Sequence, residues 1–340
     1  MPGWKSGRRK INKSKAIPGI AAMENIRLAI DVESGDFGPK VIIAGLSEAL
    51  RDGGIRFKAL LCGNGSRIRD ALDEAGINDP GIEIVHCSDS ISPHDKRARV
   101  WRQRVDSSII RCITLQKEGK ADASVSAGDT AILMGAALFI LGRSEEVSRP
   151  ALAAFLPTTR KKPVLLLDVG ANLNCRAEHL VSFAKMGHSY VSRYLNKKAP
   201  SVALLNIGKE SHKGTRAVCN ADQILRSELK DYIGYIEGDG VLSGTADVAV
   251  CDGFIGNVLL KTCETFHKLV KSVLGRNDEM RSRMAVLDPE NYGAVPFLGI
   301  GGTVLKAHGG SSSRAIANAV LTAVRTAKND AVFSGDRKVL

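Results

Sequence analysis

Five times along the chain an apolar run of strand length ends in a polar, glycine-containing turn. Ile26–Asp31 leads into VESGDFGP, Ala121–Val125 into SAGDT, Val164–Asp168 into VGAN, Val202–Asn206 into IGKE, and Ala246–Val250 into CDGFIGN. A helix-like run often follows. Continuous apolar runs of this length suit strands buried on both faces, as in a parallel sheet. Parallel neighbours need crossover connections, usually helices. The pattern therefore predicts an α/β fold, a doubly wound and mostly parallel sheet with helices on both faces. Ligands of such sheets bind beyond the carboxyl ends of the strands. Asp31, Asp36, Ser126, Asp129, Asp168, Asn172, Asn206, Asp252 and Asn257 all fall there, which points to an enzyme whose site is built from these turns.

With 340 residues, 44% of them hydrophobic, the chain can bury a large core. The net charge of +12 is uneven: residues 1–22 hold six basic side chains and no acidic one. That leader reads as a disordered extension, or as sequence upstream of a functional start at Met23; a nucleic-acid or membrane-surface arm is the competing reading. The expected organisation is a basic leader over 1–23, one α/β catalytic domain over 24–330 with a short helical hairpin near 261–292, and a tail over 331–340. The longest apolar stretch, Ala131–Gly142, is too short for a membrane span of about 20 residues. Seven scattered cysteines with no CxxC pair suit reduced thiols in a cytoplasmic protein. No HExxH or paired-carboxylate motif occurs, so neither a metal nor another cofactor is expected.

Further strands are predicted at Phe57–Leu61, Ile82–Cys87, Arg149–Leu156, Tyr235–Glu237, Phe297–Gly302 and Val304–Lys306. Helices are predicted from Pro39 to about Asp52, over Ala131–Leu141, Glu178–Tyr194 and Ile255–Leu274, up to Leu229, and over Ser313–Thr326. The Gly63-Asn64-Gly65 turn lacks the third glycine and the acidic residue of a dinucleotide site. Lys96–Arg111 is rich in cations, including Arg102 and Arg104. It is either a solvated face or a contact for an anionic or acidic partner.

Several turns carry groups suited to anions. SAGDT sets Ser126, Gly128, Asp129 and Thr130 before a helix, where free N–H groups and the helix dipole attract negative charge; capping alone is the plainer reading. The loop after Asn206 carries Lys213, and CDGFIGN brings Asp252, Gly253 and Asn257, with Lys261 one turn on. KAHGG adds Lys306 and His308 before the last helix, with His308 either structural or a phosphate partner. Cys251 and Cys87 are conceivable nucleophiles, although strand cysteines are usually buried and inert.

Taken together, these segments resemble the bacterial phosphate acyltransferases of phospholipid synthesis, the PlsX family. GDFGP (35–39), ADASVSAGDT (121–130), RPALAAFLPT (149–158), LLDVGAN (166–172), EHLVSFAKMG (178–187), CDGFIGNVLLK (251–261), NYGAVPFLGI (291–300) and KAHGGSS (306–312) stand in family order. The resemblance implies a Rossmann-like fold of the isocitrate and isopropylmalate dehydrogenase type. It implies transfer of an acyl group from acyl carrier protein to inorganic phosphate, giving an acyl phosphate for a downstream glycerol-3-phosphate acyltransferase. It also implies a homodimer, cytoplasmic, in loose contact with the inner face of the membrane. On this reading Asn206, Lys213, Asp252, Asn257 and Lys306 are catalytic. Asp36, Ser126, Gly128, Asp129, Thr130, Asp168, Asn172, Gly253, Lys261 and His308 bind phosphate or substrate. Lys96, Arg102 and Arg104 meet the carrier protein, and nucleic acid is not a partner. Departures from the family pattern at Glu33, Ser34, Asp129 and Lys209, and a shortened hairpin, are expected to narrow or repel an anion site or to weaken membrane contact. The alternatives are an acyl-CoA-dependent phosphate acyltransferase, a diverged carrier-binding protein without turnover and, on fold alone, a dehydrogenase.

Overall fold

A computed structural model describes residues 26–51, 55–91, 100–145, 147–160, 162–273, 288–291 and 293–336. The basic leader, Lys96 and residues 274–287 of the expected hairpin lie outside the described residues.

Among the described residues eleven strands form one sheet in the order β3-β2-β1-β4-β11-β10-β5-β6-β9-β7-β8. They are β1 Arg27–Asp31, β2 Lys58–Gly63, β3 Ile82–His86, β4 Ala123–Ser126, β5 Ala151–Leu156, β6 Val164–Leu167, β7 Val202–Leu205, β8 Tyr232–Ile236, β9 Val248–Val250, β10 Ala294–Leu298 and β11 Thr303–Ala307. The helices are α1 Pro39–Arg51, α2 Gly65–Glu74, α3 Ser108–Lys117, α4 Thr130–Ile140, α5 Ala177–Tyr194, α6 Arg216–Glu228, the short α7 Gly238–Leu242, α8 Gly253–Val273 and α9 Ser313–Asp336. The closing helix runs ten residues beyond the predicted Thr326. The α2, α3 and α7 helices were not anticipated; the first two are only ten residues long and α7 five.

The sheet is layered as expected. Ile42, Ile43 and Leu46 of α1, Ile68 of α2 and Ile316 and Val320 of α9 pack on Leu28, Ile30, Val125 and Leu305. Phe183 of α5 and Leu225 of α6 continue that layer over Leu165, Leu167 and Val250. On the other face α3 and α4 pack on Leu152, Leu166 and Val304. Alternation along each strand explains the division, because successive side chains point to opposite faces.

The direction of the strands departs from a simple parallel sheet. β10 is antiparallel to both β11 and β5, and β5 is antiparallel to β6. All other pairings are parallel. The block β3-β2-β1-β4-β11 therefore runs opposite to the block β6-β9-β7-β8. The strand ends that the sequence pattern gathers into one site emerge at two edges.

Candidate active site

At the first edge, residues at the carboxyl ends of three adjacent strands form a polar row. Lys306 of β11 pairs in register with Ser126 of β4, and Ile30 of β1 pairs with Val125, which sets Asp31 beside Ser126. Neighbouring strands lie about 4.8 Å apart, so the three side chains line one short shelf on the face covered by α3, α4 and α8. The Ser126 hydroxyl donates to Asp31 Oδ2 at 2.5 Å, and Gly128 N–H donates back to Ser126 Oγ at 3.0 Å. Asp31 Oδ1 accepts the N–H groups of Glu33 and Ser34 at 3.2 Å.

Three turns close around this row. Asp36 N–H donates to the Gly309 carbonyl, joining GDFGP to KAHGG. Gly35 takes a φ of 103°, and a Cβ there would crowd Ala127 and the Gly309 oxygen. A small cleft opens between them, lined by Ser34, Gly35, Gly38, Ala127, Gly309 and Ser311. Asp129 caps α4, accepting from Ala131 and Ile132, and Thr130 is the first residue of that helix. Lys306 is the half-buried cation in their midst. Burial lowers its ammonium to about 8, with Asp129, Asp36 and Asp31 opposing and Lys261 adding to the fall. Its Nζ donates to the Ala307 carbonyl. His308 Nδ1 accepts from Gly310 N–H at 3.1 Å, and burial, helped by Lys261 and Lys306, lowers its pKa.

The second edge has a different chemistry. Asp168 is fully buried. Its Oδ1 accepts the N–H groups of Leu152, Gly170 and Ala171, and its Oδ2 accepts Asn172 N at 2.6 Å and Asn172 Nδ2 at 2.8 Å. Burial raises this carboxyl, and the donors oppose the rise. Asp168 and Asn172, expected to bind substrate, also shape the turn: Asp168 accepts five hydrogen bonds, and Asn172 Nδ2 donates to both Asp168 and the Pro150 carbonyl. Asp252 caps α8 through Ile255 N, and Gly253 N–H donates to the Asn172 carbonyl. Asn257 is exposed, one turn along α8 and facing Gly170.

Asn206 and Lys213 stand further along this edge. Asn206 Nδ2 donates to the Lys213 carbonyl at 2.9 Å, and Lys213 Nζ pairs with Glu210 at 2.8 Å. The catalytic reading of Asn206 and Lys213 gains no geometric partner here, because the loop's polar groups serve one another.

One element joins the edges. α8 starts against the Asp168 turn, where a Cβ on Gly256 would fall 1.9 Å from the Asp168 carbonyl oxygen. Eight residues, or about 12 Å of helical rise, separate its start from Lys261, whose charge acts on both Lys306 and His308.

Other readings resolve locally. The turn at 63–65 is closed: Glu33 takes Asn64 N–H, His86 takes Gly65 N–H, and the Asn64 side chain takes the N–H groups of Ser66 and Arg67. Glu33, expected to narrow or repel an anion site, has its carboxylate paired with Asn64 N–H and Arg67. Burial pushes the Cys87 thiol up to about 12 and Cys251 well above its ordinary value, which disables both as nucleophiles at neutral pH. The Arg102 guanidinium lies over the Trp101 and Phe139 rings, and Arg104 pairs with Asp89. A larger cavity, about 140 Å³, lies elsewhere, walled by Phe155, Tyr190 and Tyr194, and none of the candidate site residues lines it.

Comparison with known proteins bears on this geometry. The profile of a family described as fatty acid synthesis protein matches residues 26–333. A protein named phosphate acyltransferase from Dictyoglomus turgidum is 37% identical over 333 residues, 92% of this chain and 98% of its own. One of the same name from Moorella thermoacetica is 40% identical over 316 residues, 88% of this chain and 92% of its own. The chain belongs to the phosphate acyltransferase family. It is a transferase of fatty acid and phospholipid synthesis. The fold is shared more widely. A phosphotransacetylase from Streptococcus pyogenes superposes with a TM-score of 0.66 at 16% identity, covering 90% of this chain and 96% of its own. A 4-hydroxythreonine-4-phosphate dehydrogenase from Klebsiella pneumoniae gives 0.56 at 16% identity, covering 90% and 99%. Among the described residues no helix is long and apolar enough to cross a membrane.

Proposed function

We propose that the enzyme moves a fatty acyl group from acyl carrier protein to inorganic phosphate, releasing acyl phosphate and the free carrier thiol. The observation that carries this reading is the half-buried Lys306 ammonium in the row Asp31–Ser126–Lys306, around which the turns at GDFGP, SAGDT and KAHGG converge. A phosphate oxygen attacks the thioester carbonyl, the carbon–sulfur bond breaks, and the thiolate leaves with the electron pair and takes a proton from solvent. Such a reaction needs positioning and charge stabilisation more than a covalent intermediate. Lys306 and the SAGDT turn, Ser126 to Thr130, hold the phosphate, with Asp36, Lys261 and His308 at the rim. Asn257 and Asp252, at the start of α8, face the acyl carbonyl.

Arg102 and Arg104 form an edge for the acidic carrier protein, where rim charges raise the association rate. α8 exposes Phe254, Val258, Phe266, Leu269 and Val273. With Lys261 and Lys268 along its flank, this face suits a homodimer contact and loose attachment to an anionic membrane surface. The acyl phosphate passes to an acyl-phosphate-using glycerol-3-phosphate acyltransferase.

The test incubates the purified protein with long-chain acyl carrier protein and phosphate, and follows thiol release and acyl phosphate by mass spectrometry. Phosphate-dependent product is expected. Product only from acyl-CoA changes the donor. Carrier binding without thiol release means a protein that has lost turnover.

A further inference from the structure

The Glu33 side chain is only 8% exposed, although it sits on a surface turn. Its slot exists because residue 63 is glycine: a Cβ there would stand 3.0 Å from Glu33 Cγ. One carboxylate oxygen accepts Asn64 N–H at 2.9 Å and the other accepts Arg67 Nη1. Arg67 thereby lies across the turn that feeds α1. A Cβ placed on Gly38 would be 3.7 Å from Arg67 Nη2, and that nitrogen has no acceptor among the described residues. Gly38 lines the same cleft as Ser34, Gly35, Ala127 and Gly309.

We propose that Arg67 is a further anion-binding residue of the site and that Glu33 is its positioning residue. Glu33 holds one edge of the guanidinium and leaves the Nη2 edge turned to the Gly35–Gly38 turn. An arginine restrained in this way loses little freedom on binding a phosphate oxygen. The pairing also keeps the carboxylate's charge off the shelf. This inference rests on the phosphate reading above, since it names a ligand of the same cleft.

The test measures KM for phosphate and kcat in the acyl-transfer assay, and phosphate binding directly by titration calorimetry with inorganic phosphate. Arg67→Ala and Glu33→Ala are each expected to raise KM, and the phosphate Kd, about tenfold, with kcat within about twofold. The double variant is expected to be no worse than Arg67→Ala alone, because the two residues act as one unit. Arg67→Lys is expected to restore part of the affinity, as a point charge without the fork. Unchanged KM and Kd in Arg67→Ala overturn the proposal, and so does a Glu33→Ala protein that binds phosphate more tightly. Wild-type protein that binds phosphate without turnover removes the acyl-transfer reading and leaves the Kd comparison to decide this one. Wild-type protein that neither binds phosphate nor turns over overturns both.

Discussion

The two edges of the sheet carry similar residues in different states of hydrogen bonding. At the second edge Asp168 is saturated by four backbone N–H groups and one side-chain amide. At the first, Lys306 sits half-buried among carboxylates, its own neighbouring carbonyl as its hydrogen-bond acceptor. A polar group at a strand end is therefore scaffold when the protein has filled its bonding capacity, and available for chemistry when it has not. The count of internal partners separates the two roles, whereas position in the fold does not.

The comparison can be broken by substitution. Lys306→Ala is expected to lower kcat/KM by about 10² to 10³, the scale for removing a charge-stabilising donor, while the denaturation midpoint holds or rises. Loss of fold instead of rate would make the first edge scaffold as well. Gly256→Ala should cost about 3 kcal/mol in chemical denaturation, because α8 must lift off the Asp168 carbonyl. Asp168→Asn puts an amide nitrogen where donors already point, and about 2 kcal/mol of stability should go. Its rate per folded molecule should stay within a few fold; a thousandfold fall would make Asp168 itself part of the chemistry.

A pH profile sharpens the contrast. The folded protein holds the Lys306 proton only below about 8, against 10.5 ordinarily. Phosphate affinity should thus weaken by about tenfold per unit as pH rises above 8, and Lys306→Arg should move that limb out of range. Stability has the opposite sign. Between about 8 and 10.5 the unfolded chain binds the proton and the folded one does not, so stability rises with pH there. The smallest effect is expected from Lys213→Ala, under threefold in kcat/KM, since its exposed ammonium pairs with Glu210.

Much of this was legible in the sequence. The apolar runs gave nearly every strand, and their polar ends gave the candidates, because burial on both faces forces an uninterrupted apolar stretch. The reversal of direction was not legible. It depends on β10 and β5 entering the sheet between the two blocks, and the pairing of Phe297 with Leu152 leaves no local mark. Asp31 and Asp168 look alike in one dimension. Only the folded chain shows that one shares a hydroxyl with Ser126 while the other is filled by its own turn. The partners of Glu33 are hidden in the sequence for the same reason, since the glycine that makes room for it lies 30 positions away.

The contact between Gly256 and the Asp168 turn makes α8 a ruler as well as a wall. Its origin is fixed where no Cβ fits, and Lys261 is read off five residues later. Each residue of an α-helix advances about 1.5 Å and turns about 100°. One residue inserted between Gly256 and Lys261 would leave every strand in place, yet swing that ammonium a quarter-turn or more away from Lys306. The interval between the two edges is thus written in whole residues, and a family member can lengthen α8 freely only beyond the mark.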